Sequence, residues 1–189
     1  MHLTIPSRRL RRAVVLTATL ILAAPGTLPA QQAANPGLDS ARALLSKYRD
    51  PMAAVHDGYL SSMVCMSFSN GAMGVHFLNA STIGPTVDPA RPQVLIYEPV
   101  GNDLQLVAAE WFVPLATGVT AAPVLFGEKF DGPMDGHAPI MPPDLRHYDL
   151  HVWLFKANPL GTFSLVNPDV KCTGYRFGHA ESTPATRVP

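Results

Sequence analysis

The chain has 189 residues, and its fourteen basic and fourteen acidic side chains balance to a formal net charge of zero. It is long enough for one ordinary domain with a buried core, and nineteen prolines with fourteen glycines favour many turns over long helices. No stripe of lysine and arginine offers the phosphate-neutralising surface that nucleic acids require, so the sequence excludes nucleic acid as a partner.

The first thirty residues have the three zones of a secretory signal peptide. Four arginines, Arg8 to Arg12, precede an apolar run from Ala13 to Ala24 and a small-residue stretch that ends at Ala30. That run is shorter than the roughly twenty residues that span a bilayer. We therefore expect a signal peptide at 1–30 and a periplasmic or secreted protein with no membrane span after cleavage. Its ten basic and fourteen acidic side chains would give a net charge of −4.

The only two cysteines, Cys65 and Cys172, both lie in the exported part. Paired thiols persist in an oxidising compartment, and two cysteines permit a single pairing. We predict a disulfide between them, with two buried free thiols as the alternative.

The segment before the β-rich region predicts two short helices. After a flexible lead-in at 31–37, Asp39 is predicted to cap a helix that ends near Asp50, because Pro51 disfavours helical geometry in the residue before it. Asp50 and Pro51 are themselves a helix start, so a second helix is predicted over 51–56. One β-rich domain is expected over 38–180, followed by a disordered tail at 181–189.

From Tyr59 onward, short apolar runs alternate with Gly, Pro, Asn and Asp clusters, which is typical of strands. A turn over 99–103 predicts that two of these strands form an antiparallel hairpin. The pattern predicts a mainly β fold, a small antiparallel β barrel or sandwich with one or two short N-terminal helices. The predicted strands are 74–78, 93–98, 104–113, 122–126, 150–155 and 162–166.

The segment 127–146 shows no periodicity and is rich in Gly, Pro, Asp and His. Loops of this length in compact domains are often functional. We expect it to cover one end of the β domain.

Three ionisable residues interrupt apolar strands: His76, Glu110 and His151. Alternation along its strand turns Glu110 inward with Leu104, Leu106, Ala108 and Phe112, and a buried carboxylate needs a cation, a metal ion or a proton. Two imidazoles and one carboxylate suit zinc or non-haem iron. We predict that the three converge on one metal ion. The alternatives are a buried glutamate paired with one histidine, and catalysis without metal.

Other residues are weaker candidates for the site. His147 and His137 are possible accessory ligands, whereas Glu98, next to the turn, is interpreted as a carboxylate at the rim. Several methionines would suit copper, which we consider less favoured than zinc or iron because methionine more often fills a core. The sequence contains no nucleophile elbow, phosphate loop or dinucleotide fingerprint.

Five strings carry a resemblance to a known family: 71–76 (GAMGVH), 92–99 (PQVLIYEP), 150–153 (LHVW), 158–163 (NPLGTF) and 167–172 (NPDVKC). With them, the chain resembles a family of uncharacterised secreted bacterial proteins over roughly residues 44–172. The resemblance implies that His76 and His151 lie within family-defining segments, and it implies no activity.

The sequence thus leads to a hypothesis of an exported protein that binds one divalent metal ion through two histidines and a glutamate. A small cupin-like metalloenzyme would fit this description, and the residues do not identify its substrate. Two alternatives remain open: a non-catalytic β-barrel binder of a small apolar ligand, and an envelope interaction module.

Overall fold

The computed structural model describes residues 1–2, 35–175 and 179–181. The predicted signal peptide beyond residue 2, residues 31–34 of the lead-in and residues 182–189 of the tail lie outside the described residues. Everything below concerns the unit that follows residue 33.

The helical segment begins earlier than predicted. Helix α1 spans Pro36–Leu45 and is followed by a 3-10 turn, Ser46–Arg49. Its N-cap is Asn35, whose side chain accepts hydrogen bonds from the amides of Gly37 and Leu38, so the prediction that Asp39 caps it is wrong. The predicted end is confirmed: Asp50 is extended and accepts from the amide of Met52 as the cap of helix α2, Pro51–His56.

The protein is mainly β, with an antiparallel sheet curled into a half-barrel and a small second sheet. The strands are β1 (Leu60–Phe68), β2 (Gly71–Leu78), β3 (Val94–Val100), β4 (Asp103–Pro114), β5 (Val124–Leu125), β6 (Glu128–Lys129), β7 (Asp131–Met134), β8 (His147–Val152) and β9 (His179–Glu181). The large sheet has the order β7-β8-β4-β3-β2-β1-β9, in which the short β9 runs parallel to β1. The small sheet pairs β5 with β6.

Several predicted elements are corrected by the structure. The segment 162–166 contains no strand, and the run 122–126 contributes only the two residues of β5. Strand β1 was not predicted, because three serines interrupt its apolar residues and Met63 has a φ of 59°. The segment 127–146 is not entirely loop, since it contains β6 and β7.

Asparagine side chains explain why the segment after β8 needs no strand partner. Asn158 Nδ2 donates to the carbonyl of Val166, and Asn167 Nδ2 donates to that of Ala157. The side-chain oxygen of each asparagine also accepts from the amide two residues later, which makes an Asx turn ahead of the proline-containing corner. These bonds replace the ladder that a strand over 162–166 would have required.

A β-bulge in β4 separates the hairpin end of the strand from its site end. Tyr97 pairs with Leu106 and Ile96 with Ala108, which leaves Val107 as the extra residue. Glu110 therefore shares a face with Ala108 and Phe112, as predicted, but Leu104 and Leu106 point to the other face.

The two faces of the sheet have different roles. One face packs on the helical segment: Tyr97, fully buried, donates its hydroxyl hydrogen bond to the carbonyl of Tyr48 at 2.7 Å, and its ring lies 4.7 Å from that of Phe77. Trp111 and Leu95 belong to the same buried core. The opposite face carries the ionisable residues, so the main core anchors the strands while the other side remains available for a site.

The predicted cysteine pair meets at the end of the sheet. Cys65 on β1 and Cys172 have their Cα atoms 5.6 Å apart at disulfide geometry, across 107 residues of sequence. This pairing is compatible with an oxidising compartment. Within the described residues, none of the helices combines the length and the apolar character needed to cross a bilayer.

We expect the double variant Cys65→Ala/Cys172→Ala to lose about 4 to 5 kcal/mol of unfolding free energy. The bridge closes a long loop and thereby lowers the conformational entropy of the unfolded chain. Urea unfolding measures this. Wild-type protein unfolded under reducing conditions serves as a control, since it retains both sulfur atoms. A double variant as stable as the oxidised wild type would contradict the expectation.

We expect Gly74→Ala to destabilise the protein by about 1 to 3 kcal/mol. Gly74 has a φ of +114°, and a Cβ there would lie 2.5 Å from the backbone oxygen of Tyr97. Gly84→Ala is the matched control: nothing lies within 4 Å of its Cβ position, so a change of no more than about 0.5 kcal/mol is expected. Equal thermal unfolding curves for the two variants would contradict the role assigned to Gly74.

Candidate metal centre

Three strands of the large sheet deliver the three predicted ligands to one face. Glu110 on β4 pairs directly with His151 on β8, while His76 lies on β2, beyond the intervening β3. The backbones of β2 and β4 are thus about 10 Å apart at the usual strand spacing. The curl of the sheet and the lengths of the two side chains close that gap.

The side-chain heads of these three residues converge. Glu110 Oε2 lies 3.7 Å from His76 Nε2 and 3.6 Å from His151 Nε2. One ligand atom from each residue lies within 4.8 Å of the other two. All three residues are at most 5% exposed. These separations are too long for hydrogen bonds, and they fall in the range of about 3 to 4 Å between donors that share an ion at about 2.0 to 2.2 Å.

Unpaired polar atoms are concentrated in this group and next to it, with His76 Nδ1 and His151 Nε2 as the two that belong to the group itself. In the range 35–175, the buried side-chain nitrogens and oxygens without a hydrogen-bond partner all belong to four histidines and one aspartate. Such groups are rare in native proteins, where burial without a partner is costly. The unpaired atoms in this protein's range 35–175 are His76 Nδ1, His137 Nε2, His147 Nε2, Asp149 Oδ2 and His151 Nε2.

Burial disfavours charge at each ligand. Desolvation, reinforced by the His151 imidazole, lowers the pKa of His76 to about 3, and burial also lowers the pKa of His151. Burial and the charge of Asp149 raise the pKa of Glu110 well above its ordinary value. Neutral imidazoles are the form that binds a metal ion, and a divalent cation would favour the ionised form of Glu110.

Asp149 is the residue that the sequence-based prediction missed. It lies on β8, is 1% exposed, and places Oδ2 3.7 Å from His147 Nε2 and 3.9 Å from His151 Nδ1. Burial raises its pKa, but the interaction with the His147 side chain and the positive charge that the neighbouring histidines carry when protonated outweigh burial and keep that pKa below its ordinary value. A signal was present: His147, Asp149 and His151 alternate along one strand and therefore share one face.

The two accessory histidines do not join the first group. His137 and His147 form a second group with Asp149, again with one atom from each within 4.8 Å of the others. The rings of His137 and His147 lie 5.2 Å apart, edge to face. The prediction that they are accessory ligands of the His76 site is therefore replaced by a separate, adjacent cluster.

Glu98 lies outside both groups, as predicted, but its interpretation as a rim carboxylate is wrong. It is 6% exposed and accepts hydrogen bonds from Lys156 Nζ at 2.6 Å and from the amide of Lys171 at 3.1 Å. It is a buried, paired carboxylate that ties β3 to the segment after β8.

A cavity of about 560 Å³ opens onto the three predicted ligands. Its walls are mostly apolar, and the segment 137–145 contributes part of its lining. Ligand-sized cavities in proteins typically combine apolar walls with a few polar groups. Residues lining it besides the ligands include Leu78, Val94, Phe112, Ile140, Met141 and Leu145.

Two of the methionines that would suit copper are core residues. Met66 and Met73, each 1% exposed, pack together with Val166 in a small apolar cluster, which is the usual role of buried methionine.

Comparisons with models of protein families, with characterised proteins and with solved structures found no match to this chain. The resemblance to a secreted bacterial family therefore stays a prediction, and functional inference rests on the site itself.

Proposed function

We propose that this is an exported metal-binding protein in which His76, Glu110 and His151 hold one zinc or iron ion. The observation that carries the proposal is the convergence of two buried imidazole nitrogens on one carboxylate oxygen at 3.6 and 3.7 Å. A direct salt bridge would close to hydrogen-bond distance, whereas three ligands around an ion are held apart by it.

Energetics supports the same proposal. Removing a carboxylate from water without a compensating cation costs several kcal/mol, and the imidazoles beside Glu110 are themselves disfavoured from carrying the charge. A bound divalent ion supplies positive charge without protonating either histidine. The set of two nitrogens and one oxygen is one that zinc and non-haem iron accept.

The cavity gives this metal site access to a small molecule. Three protein ligands leave a coordination position free for water or a substrate group, which is the arrangement of catalytic rather than structural zinc sites. The free position would face the apolar cavity. We propose a substrate or ligand with an apolar body and a polar group that coordinates the ion, in a small cupin-like metalloenzyme or binding protein.

We expect Glu110→Gln to remove one equivalent of zinc from the loaded protein, because the amide keeps the shape of the side chain but loses the anionic ligand. Protein prepared without chelators or a histidine tag is loaded with Zn²⁺, freed of excess and analysed by elemental mass spectrometry. His151→Gln should have the same effect, and the loss of affinity should exceed the roughly 10- to 100-fold typical of outer-sphere changes.

His56→Gln is the matched control, since His56 is exposed on helix α2 and belongs to neither cluster. Its zinc content should equal that of the wild type. Unchanged zinc content in folded Glu110→Gln protein would overturn the proposed site.

A second candidate function, non-catalytic binding of a small apolar ligand, is favoured by the cavity alone. The apolar dye N-phenyl-1-naphthylamine should bind the metal-free protein with a rise in fluorescence. Ile140→Asp should weaken this binding about 10- to 100-fold, the effect of removing one buried aliphatic contact. Leu160→Asp, at an exposed position away from the cavity lining, is the control. Equal dye affinity in both variants would exclude the cavity as the dye site.

A further inference from the structure

The second cluster, made of His137, His147 and Asp149, is not used by the site proposed above. His147 and Asp149 come from alternate positions of β8, and His137 comes from the segment that follows β7. His147 is fully buried and Asp149 is 1% exposed. The atoms His137 Nε2, His147 Nε2 and Asp149 Oδ2 are all buried without a hydrogen-bond partner.

The hydrogen bond on the far side of the His147 ring determines which form the ring takes. His147 Nδ1 lies 3.0 Å from the carbonyl oxygen of Leu145, and because a carbonyl only accepts, Nδ1 is the donor. In the neutral ring the proton is therefore on Nδ1, and Nε2 presents a lone pair. A hydrogen bond of this kind on the outer nitrogen is what fixes the orientation of metal-binding histidines.

In the neutral ring, that lone pair faces another acceptor. His147 Nε2 lies 3.7 Å from Asp149 Oδ2, which is beyond hydrogen-bond distance, so a nitrogen lone pair and a carboxylate oxygen are directed at each other without a hydrogen bond. Two acceptors in a dry environment repel unless a cation lies between them. The separation fits two donors on one ion, at about 3 to 4 Å.

A purely supporting role for Asp149 leaves part of this arrangement unexplained. Asp149 Oδ2 lies 3.9 Å from His151 Nδ1, and a carboxylate there would orient His151 as an outer-sphere partner of the first metal ion. That role involves neither His147 nor His137. It gives no reason for two further imidazole nitrogens to be directed at the same carboxylate.

We propose that His137, His147 and Asp149 form a second metal site, which takes a divalent transition-metal ion of the zinc type. Two imidazoles and one carboxylate give it the same ligand set as the first site, and the His151 ring lies between the two. His151 offers Nε2 to the first site and directs Nδ1 towards a ligand of the second. Asp149 therefore connects the two sites: it is a ligand of the second site, and it contacts the first site through His151.

Zinc stoichiometry separates this proposal from the function proposed above. The full chain, exported and purified without chelators or a histidine tag, is stripped of metal, loaded with Zn²⁺ and measured by elemental mass spectrometry. The wild type should hold two equivalents, His147→Gln one, Glu110→Gln one, and the control His56→Gln two. His137→Gln, at a half-buried position outside the sheet, is the second variant in case His147→Gln fails to fold; thermal unfolding of the metal-free variants checks folding.

Cobalt provides an independent readout. Titration with Co²⁺ should show two sets of visible absorption bands in the wild type, and His147→Gln should lose one set while Glu110→Gln loses the other. Each variant then reports on a single site through the spectrum of the ion that remains.

The outcomes are distinct. If the wild type binds one equivalent of zinc and Glu110→Gln binds none, the second site is overturned and the first is left intact. If the wild type binds one equivalent of zinc and only His147→Gln and His137→Gln lose it, the second site is supported and the first is overturned. No zinc at all overturns both.

Discussion

Two carboxylates, Glu110 and Asp149, lie on the same face of the sheet with at most 3% of either residue exposed. In the range 35–175, no lysine or arginine forms an ion pair with either one; their neighbours are histidines. Like charges in a dry site repel, which is why the charge of Asp149 raises the pKa of Glu110. Under the proposed function, the surrounding strands hold these two groups where a bound cation would balance their charge.

The fold meets this constraint by giving the two faces of one sheet different tasks. The face that packs on the helical segment supplies the hydrophobic stabilisation, with Trp111 and Tyr97 fully buried there. Alternate residues of the same strands are then free to carry polar groups. The bulge at Val107 lets the hairpin end of β4 present Leu106 to the core without turning Glu110 away from the site.

Local patterns in the sequence were sufficient for the helix boundary at Asp50 and Pro51, the hairpin and the inward direction of Glu110, since each depends on residues close together in the chain. The sequence predicts that His76 meets Glu110 and His151, because one shared centre explains three interrupted apolar strands more simply than three separate causes. The position of Asp149 could also be predicted from the sequence, because it alternates with His147 and His151 along β8 and therefore shares their face. The bulge in β4 depends on its register with β3, and the bridge of Asn167 with Ala72 joins residues far apart in the chain, so no local pattern reveals either feature.

The cysteine pair also bears on how the site assembles during maturation. Residues 65 and 172 bracket every candidate ligand of both clusters, from His76 to His151. Oxidation therefore closes a ring that contains the whole ligand set, and it restricts the volume that those side chains must search before they meet. In an oxidising compartment, the disulfide would therefore remove part of the entropy cost of gathering these side chains from distant positions.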